Sequence, residues 1–402
     1  MEEIYRAIFK EEPDQLFLKA QNKEAFIEVR KELRYDINHM LPTKVRGNIK
    51  YICHMNTTGY SIGARGYITA LSLAGFNVTV ETVTGELPPL DDNINNQVTY
   101  YCYGRNIPYD TVIGHLVPDS FEYYKEREKG KRFIGFTLWE SSEAPKFWHK
   151  WLNIPDELIV ASEWNKEVFQ KVVKKVNVVH HVINCKKVAP LEIAKGKYMF
   201  YFIGEWCKRK GIEELILAFN DVFKQRNDVI LYIKTFTFPN IVNKDDAEKI
   251  FNKYRSNKVI INSDKVDDDF ISSIHERGDA YISFAKGEGV GLGAAEAAKH
   301  GNPVIAAGYG GHVDYLANCF LTGYREIPAD PCEAYHKGCT KDKCKCYTWY
   351  DKSYQQWCEP DEEEMKYLMW YVYSNKIKKE PNLFMEINFS HLAIAKEFQK
   401  IL

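Results

Sequence analysis

The sequence predicts an α/β protein made of two doubly wound, Rossmann-like domains that face each other across a deep cleft. Short apolar segments alternate with amphipathic helical segments, first over residues 49–184 and again from Tyr198 onward. Such alternation indicates parallel sheets joined by right-handed crossovers. A charged, turn-rich stretch at 186–197 separates the two series, and 402 residues exceed the length of one ordinary domain.

We expect four parts along the chain. A helical extension at 1–48, in which Phe26, Val29 and Leu33 recur at helical spacing, precedes the first Rossmann-like domain at 49–190. The second domain occupies 191–375 and contains a cysteine-rich insertion at 332–358, and a helix at 376–402 ends the chain.

Composition and charge limit the function. Apolar residues make up 45% of the chain and charged residues 27%, as is typical of a globular protein in water. The net charge of −1 gives no overall field that would attract nucleic acid or an anionic membrane. No apolar run is long enough to span a membrane, and the first residues lack a signal-peptide pattern. We therefore expect a cytoplasmic protein whose contact with a membrane is at most peripheral.

The first domain opens with a strand at 49–55 and a glycine-rich stretch. Gly59, Gly63 and Gly66 are expected to form a turn before a helix that contains Ile68 and Leu71. Their spacing does not fit the G-x-G-x-x-G pattern of dinucleotide sites. A loop near a sugar is the better interpretation, which makes Gly59 a candidate acceptor contact.

Polar and aromatic side chains follow two later strands of this domain. His115 ends the strand at 111–115, and Trp139 and Glu140 follow the strand at 133–138. Because doubly wound sheets bind ligands at the carboxyl ends of their strands, all three are candidate acceptor contacts, and His115 is also a candidate catalytic residue. A structural histidine and a glutamate that caps the next segment are the alternatives.

The second domain places a basic turn directly after its first strand. Lys208, Arg209 and Lys210 lie between the strand at 199–204 and a helix at 212–226. Cations at a strand end and at a helix N-terminus suit a diphosphate group. A solvated basic turn is the alternative.

The stretch 279–314 carries the clearest chemistry. A buried strand leads into Gly287, Gly289, Gly291 and Gly293, and a helix follows until Gly301. The helix N-terminus favours an anion. Two acids, Glu288 and Glu296, lie on either side of this turn. Carboxylates beside a phosphate site are expected only if they bind hydroxyl groups of the same ligand. A ligand with both phosphate and many hydroxyl groups is the natural candidate, which suggests a nucleotide sugar.

The same loop has a rival interpretation. Gly289, Gly291 and Ala294 satisfy G-x-G-x-x-A between a strand and a helix, the pattern of NAD(P)-dependent oxidoreductases. Asp314 follows a glycine turn instead of ending the next strand, and the rival leaves both glutamates unexplained. We therefore favour the nucleotide sugar.

The segment FAKGEGVGLGAAEAAKHGNPVIA resembles the Glu-x7-Glu motif of family 4 retaining glycosyltransferases. The resemblance extends over roughly residues 49–375, since FIGEWCKRKGIEELILAF, TLWESSEAPKFW, IVASEWNKEVF and GGHVDYL are also similar to segments of that family, in the same order. It implies the GT-B fold, with a C-terminal helix that returns to the first domain.

The resemblance also implies a role for each matching residue. Glu288 would contact the transferred sugar, and Glu296 would hold the ribose hydroxyls. Lys210 would neutralise the diphosphate, helped by Arg209, because the usual arginine after the strand glycine is here Glu205. The remaining expected donor contacts are Gly289, Val290, Gly291, Leu292 and Gly204, and the expected acceptor contacts are Gly59, Trp139, Glu140 and His115.

The reaction implied by the resemblance is the transfer of a hexose to an acceptor hydroxyl with retention and without a catalytic metal or other cofactor. The donor would be a UDP- or GDP-sugar, with GDP-mannose or UDP-glucose favoured, and the acceptor a glycan, a lipid-linked sugar or a protein. Because of Glu205, a GT-B-like protein that binds a sugar nucleotide without catalysis is the alternative.

Five of the ten cysteines lie in the insertion. Cys332, Cys339, Cys344 and Cys346 lie near His336 and Cys358, and only Cys339 and Cys344 approach the spacing of a zinc site. A structural zinc, disulfide bonds and free thiols all stay open.

Overall fold

The structure, a computed structural model, describes residues 44–56, 58–83, 85–236, 244–330 and 349–402. Most of the expected helical extension at 1–48 lies outside these ranges, as do Cys332, Cys339, Cys344 and Cys346. The domain boundaries stay predictions.

The first domain is a parallel six-stranded sheet in the order β2-β1-β3-β4-β5-β6. Helices follow its strands, as the alternation of segments predicts. The strands are β1 (Gly47–Cys53), β2 (Phe76–Thr82), β3 (Thr111–His115), β4 (Arg132–Phe136), β5 (Glu157–Val160) and β6 (Val176–Val178). The helices are α1 (Gly59–Leu73), α2 (Ile94–Cys102), α3 (Phe121–Arg127), α4 (His149–Leu152) and α5 (Glu163–Phe169).

The second domain repeats this plan in the order β12-β11-β10-β7-β8-β9. Its strands are β7 (Tyr198–Glu205), β8 (Val229–Phe236), β9 (Val259–Asn262), β10 (Ala280–Ile282), β11 (Val304–Ala307) and β12 (Phe320–Thr322). Its helices are α6 (Ile212–Val222), α7 (Lys244–Tyr254), α8 (Asp268–Arg277) and α9 (Leu292–Lys299). An antiparallel hairpin of β13 (Tyr324–Pro328) and β14 (Gln356–Pro360) follows, and then α10 (Glu362–Ser374), α11 (Leu383–Phe389) and α12 (His391–Ile401).

The glycine-rich stretch after β1 differs from the sequence-based prediction. Helix α1 begins at Gly59 and runs through Gly63 and Gly66, which are therefore not a turn. A side chain at Gly63 would overlap the ring of His181, and one at Gly66 would lie 3.1 Å from Val182. These two glycines let the chain after β6 pack against α1.

The C-terminal helix returns to the first domain, as expected. Phe398 of α12 packs edge-on against Tyr67 of α1, with ring centroids 5.2 Å apart. The Gln399 side chain donates a hydrogen bond of 2.9 Å to the Ala74 carbonyl at the end of α1.

A second connection between the domains is the strap, which we define as residues 349–358. Tyr350 and Trp357 of the strap are buried in the core of the first domain. The Gln356 carbonyl accepts a hydrogen bond of 3.0 Å from the Ser142 amide, and the Tyr354 hydroxyl accepts one of 2.9 Å from the Lys146 amide. The strap thus joins the hairpin to the segment that follows β4.

Candidate functional site

The order of the second sheet brings the basic turn and the glycine loop together. Strand β7 lies between β10 and β8, so the strand order reverses between β7 and β10. Ligands bind at such a switch point, beyond the carboxyl ends of the strands. Lys208–Lys210 follows β7 as a 3₁₀ turn, and the glycine loop, residues 287–293, follows β10.

Lys210 and Glu288 meet at this switch point. The Lys210 ammonium donates a short hydrogen bond to the Glu288 carboxylate. The Arg209 guanidinium is 8% exposed and lies 3.8 Å from the same carboxylate. Its Nη1 donates to the Gly287 carbonyl at 2.6 Å, and its Nη2 lies 3.3 Å from the Glu140 carboxylate of the first domain. Charges from both domains therefore converge here.

The electrostatics keep Glu288 ionised. Burial acts to raise the pKa of Glu288, but Lys210 and Arg209 outweigh it and hold the pKa below its usual value. Burial likewise acts to lower the pKa of Arg209, and the charges around it, Glu140 foremost, raise it well above normal. Both groups stay charged at neutral pH.

Glu205 is the third acid of the cluster. Burial raises its pKa, while Arg209 and Lys210 oppose the rise and Glu140 and Glu288 add to it. Within the described part of the chain its carboxyl makes no hydrogen bond or ion pair. Three carboxyl groups, those of Glu140, Glu205 and Glu288, thus surround two cations.

The backbone of the glycine loop is available to a ligand. Among the described residues, the amides of Gly289, Val290 and Gly291 have no hydrogen-bond acceptor. Gly291 has a φ of +67°, and a Cβ there would lie 2.8 Å from His312, so a side chain would be strained and crowded. Helix α9 begins directly after Gly291, which adds its positive end to these amides.

Glu296 lies one turn into α9, apart from the Lys210–Glu288 pair. One carboxylate oxygen lies 3.5 Å from His275 Nε2. Burial lowers the pKa of His275 to about 3, so the imidazole is neutral. Burial raises the pKa of Glu296 to about 7. Gly204, the remaining expected donor contact, lies near the end of β7 in register with Thr235.

The first domain brings only some of the expected residues to this place. Gly59 faces the glycine loop, because a Cβ there would lie 3.2 Å from Leu292. Glu140 contacts Arg209, as described above. The Trp139 side chain is buried and stacks on Tyr350 of the strap, with ring centroids 4.8 Å apart.

His115 is also buried in the core of the first domain. Its side chain is fully buried, its Nδ1 lies 2.7 Å from the Tyr51 hydroxyl, and its ring packs on Phe136. Burial holds its pKa well below the usual value. The structure therefore favours the structural alternative for His115.

Residues at the start of α5 are a part of the site that the motifs miss. Ser162 Oγ and Asn165 Nδ2 each lie 3.3 Å from the Gly289 carbonyl. The sequence identifies Ser162 as an N-cap, and the segment that contains both residues, IVASEWNKEVF, is similar to the wall of the interdomain cleft in family 4 glycosyltransferases. It does not show that the Asn165 side chain contacts the glycine loop.

Neither a metal centre nor a membrane helix is found in the described ranges. No group of three or more His, Cys, Asp and Glu side chains there is arranged to hold a metal ion. None of the helices described is long and apolar enough to cross a membrane.

Comparisons with known proteins fit this architecture. No curated protein sequence matches the chain significantly. Sucrose-phosphate synthase from Thermosynechococcus elongatus superposes with a TM-score of 0.62 at 15% identity, over 89% of this chain and 98% of that one. HepE from Anabaena, in complex with UDP and glucose, gives 0.60 at 13% identity, over 89% and 99%. A glycosyltransferase from Rickettsia africae ESF-5 gives 0.58 at 16% identity, over 90% and 98%.

These structures share the two-sheet GT-B architecture of this chain. Residues 186–337, which include the basic turn and the glycine loop, match the family model Glycosyl transferases group 1. The chain therefore has the GT-B fold, and the part of it that holds the basic turn and the glycine loop is similar to the glycosyl transferases group 1 domain.

Proposed function

We propose that this protein transfers a hexose from a nucleotide-diphosphate sugar to an acceptor hydroxyl, with retention of configuration and without a catalytic metal. The observation that carries the proposal is the Lys210–Glu288 pair beside the unpaired amides of the glycine loop. A cation and free amides at a helix N-terminus suit a diphosphate, and a carboxylate suits sugar hydroxyls.

In this mechanism the diphosphate of the donor takes Lys210 from Glu288, and the freed carboxylate accepts hydrogen bonds from the sugar. The bond between the anomeric carbon and the phosphate oxygen then breaks, and Lys210 and the loop amides stabilise the charge that develops on the leaving diphosphate. The acceptor oxygen attacks the anomeric carbon from the same face and passes its proton to that phosphate.

The other charged residues have supporting roles in the proposal. Arg209 contacts Glu140 and the Gly287 carbonyl. In the proposal it therefore holds the glycine loop in position and does not bind the phosphate. Glu296 binds the ribose hydroxyls.

The donor and acceptor classes rest on the sequence resemblance. We propose a UDP- or GDP-sugar as the donor, and a glycan, a lipid-linked sugar or a protein as the acceptor. UDP-glucose and GDP-mannose are the first donors to test. HepE, which shares the fold, was solved with UDP and glucose.

The test is a screen of UDP- and GDP-sugars for binding, by thermal shift, and for release of free nucleotide with and without sugar acceptors. With the donor identified, we expect Lys210→Met to lower kcat about 10²–10³-fold, as does the loss of a group that stabilises developing charge. We expect Glu288→Gln to lower kcat about 10²-fold, because a carboxylate that positions the sugar is lost. Added EDTA should leave the rate unchanged.

Lys208→Met is the matched control, because Lys208 shares the 3₁₀ turn with Lys210 but lies 3.5 Å from Glu213. We expect its kcat to stay within about twofold of the unmodified value, because a half-buried ion pair away from Glu288 contributes little. Full activity in Lys210→Met and Glu288→Gln would contradict the site. Donor binding without nucleotide release would favour the non-catalytic alternative, and an absorbance change with NAD(P) would favour an oxidoreductase.

A further inference from the structure

The glycine loop of the second domain is held from the first domain through one carbonyl group. The Gly289 carbonyl points at the start of α5, where Ser162 Oγ and Asn165 Nδ2 each lie 3.3 Å away. A Cβ at Gly289 would lie 3.3 Å from the Trp139 carbonyl oxygen, so the loop packs directly on the segment after β4. At Gly289, the backbone of the second domain packs directly on the backbone of the first domain.

The orientation of the Asn165 amide is fixed by its other partners. Asn165 is fully buried, and its Oδ1 accepts a hydrogen bond of 2.8 Å from the Trp139 amide. Because a backbone amide can only donate, Oδ1 must face Trp139, and Nδ2 must therefore face Ser162 and Gly289. One side chain thus joins the first domain's wall to the glycine loop.

This contact sets the direction of a ligand-facing amide. In a trans peptide the carbonyl of one residue and the N–H of the next point in opposite directions, and no peptide bond in the described part of the chain is cis. A Gly289 carbonyl that points toward α5 therefore turns the Val290 N–H away from α5. That amide is one of those without a partner among the described residues.

A second contact holds the neighbouring turn at the same place. The Asp314 carboxylate accepts a hydrogen bond of 2.7 Å from the Glu163 amide at the first turn of α5. In the turn that contains Asp314, the Gly311 amide donates one of 2.7 Å to the Glu288 carbonyl. The start of α5 therefore holds the loop at Gly289 directly, and at Glu288 through the turn that contains Asp314.

We propose that Asn165 is a positioning residue for the donor site: by holding the Gly289 carbonyl, it makes the donor-binding shape of the glycine loop depend on contact with the first domain. The proposal rests on the proposed function, because it assigns the loop amides to the donor diphosphate. Asn165 itself touches no substrate.

The test is Asn165→Asp, which replaces the donating Nδ2 by an acceptor and leaves the size of the side chain unchanged. The new carboxylate can still accept from the Trp139 amide, but it cannot donate to the Gly289 carbonyl or to Ser162 Oγ. We expect the Kd of UDP or GDP, whichever the unmodified protein binds, to rise about tenfold at pH 8 by isothermal titration, as for the loss of one buried hydrogen bond. Position 165 is fully buried, and burial raises the pKa of a carboxyl group. A protonated carboxyl group can donate to the Gly289 carbonyl, so we expect the loss, measured against the unmodified protein at the same pH, to shrink as the pH falls from 8 to 6.

Asn96→Ala is the matched control, because Asn96 is another buried amide and bonds only within the first domain, to Asp91. We expect its Tm to fall as far as that of Asn165→Asp, while its Kd stays unchanged. An unchanged Kd in folded Asn165→Asp, or an equal rise in Asn96→Ala, would overturn the proposal. If the unmodified protein binds no nucleotide, the proposed function fails instead, and the two failures are distinct. Ser162→Ala, which removes the other donor to Gly289, should weaken binding in the same direction.

Discussion

The carboxyl ends of the two sheets occupy equivalent places in the fold but hold different chemistry. In the first sheet, the residues that end or follow β3 and β4 are His115, fully buried, and Trp139, 3% exposed. In the second sheet, the residues that follow β7 and β10 are Lys210 and Glu288, which pair with each other at a place where charges from both domains meet. Aromatic side chains therefore occupy the carboxyl end of the first sheet, and charged side chains occupy that of the second.

The difference comes from what covers each crevice. Residues 180–183 after β6 and helix α12 pack against α1 beside His115, and the strap packs on Trp139. Among the described residues, no such aromatic packing fills the switch point of the second sheet, where side chains of opposite charge lie together instead. The amides of the glycine loop that lack an acceptor within the described ranges favour a ligand site on this side of the comparison.

Trp139→Ala tests the aromatic side of this comparison. Its ring stacks on Tyr350 and packs edge-on against Trp148 with centroids 4.8 Å apart, and its Nε1 donates to Ser141 at 2.6 Å. Truncating a buried tryptophan costs about 3–5 kcal/mol of unfolding free energy, and we expect urea unfolding to show a loss of this size.

The control is Trp370→Ala, because Trp370 is 45% exposed and its loss should cost about 1 kcal/mol or less. If Trp139 bound an acceptor, as its position in the sequence predicts, the KM for the acceptor would rise while stability stayed near normal. That result would reverse our description of the first crevice.

The sequence predicts much of this molecule and fails where contacts are long in range. The alternation of strands and helices predicts both sheets, and the closely spaced glycines with Glu288 and Glu296 predict the glycine loop and its ligand. Both patterns are local in sequence. The prediction of a turn at Gly63 is wrong, because Gly63 lies within α1. The ring that requires a glycine there belongs to His181, more than a hundred residues away in the sequence. His115 and Trp139 were expected in the cleft because nothing local in the sequence shows which distant segments cover them.

His180→Gln tests the junction between the two regions. His180 Nε2 lies 3.3 Å from the Asp314 carboxylate of the second domain, and Nδ1 lies 3.0 Å from Glu397 of α12. Burial acts to lower the pKa of His180, but these two carboxylates outweigh it and raise the pKa to about 9. In His181, which lacks such partners, burial lowers the pKa to about 3.

The sign of the effect follows from linkage. Because the folded pKa of His180 exceeds that of an ordinary histidine, near 6.5, its stabilisation is complete below pH 6.5 and is lost as the pH rises through 9. We expect the unfolding free energy of the unmodified protein to fall by about 2–3 kcal/mol more than that of His180→Gln between pH 6.5 and 10. Equal slopes for the two proteins in urea titrations would show that the junction does not depend on this charge.

The smallest effect we expect concerns Glu296, on the charged side of the comparison. Its pKa is raised to about 7 by burial, unlike that of Glu288, which cations keep low. If Glu296 accepts hydrogen bonds from ribose hydroxyls, only its ionised form binds well, so donor affinity should rise with pH. From pH 6 to pH 8 the ionised fraction grows about tenfold for a pKa near 7, and the Kd should fall by the same factor.

A nucleotide sugar is the proper probe, because the terminal phosphate of a free nucleotide itself titrates near pH 6. Glu296→Gln should bind more weakly at pH 8 and show no such slope. A slope that persists in this variant would assign the titration to a group other than Glu296.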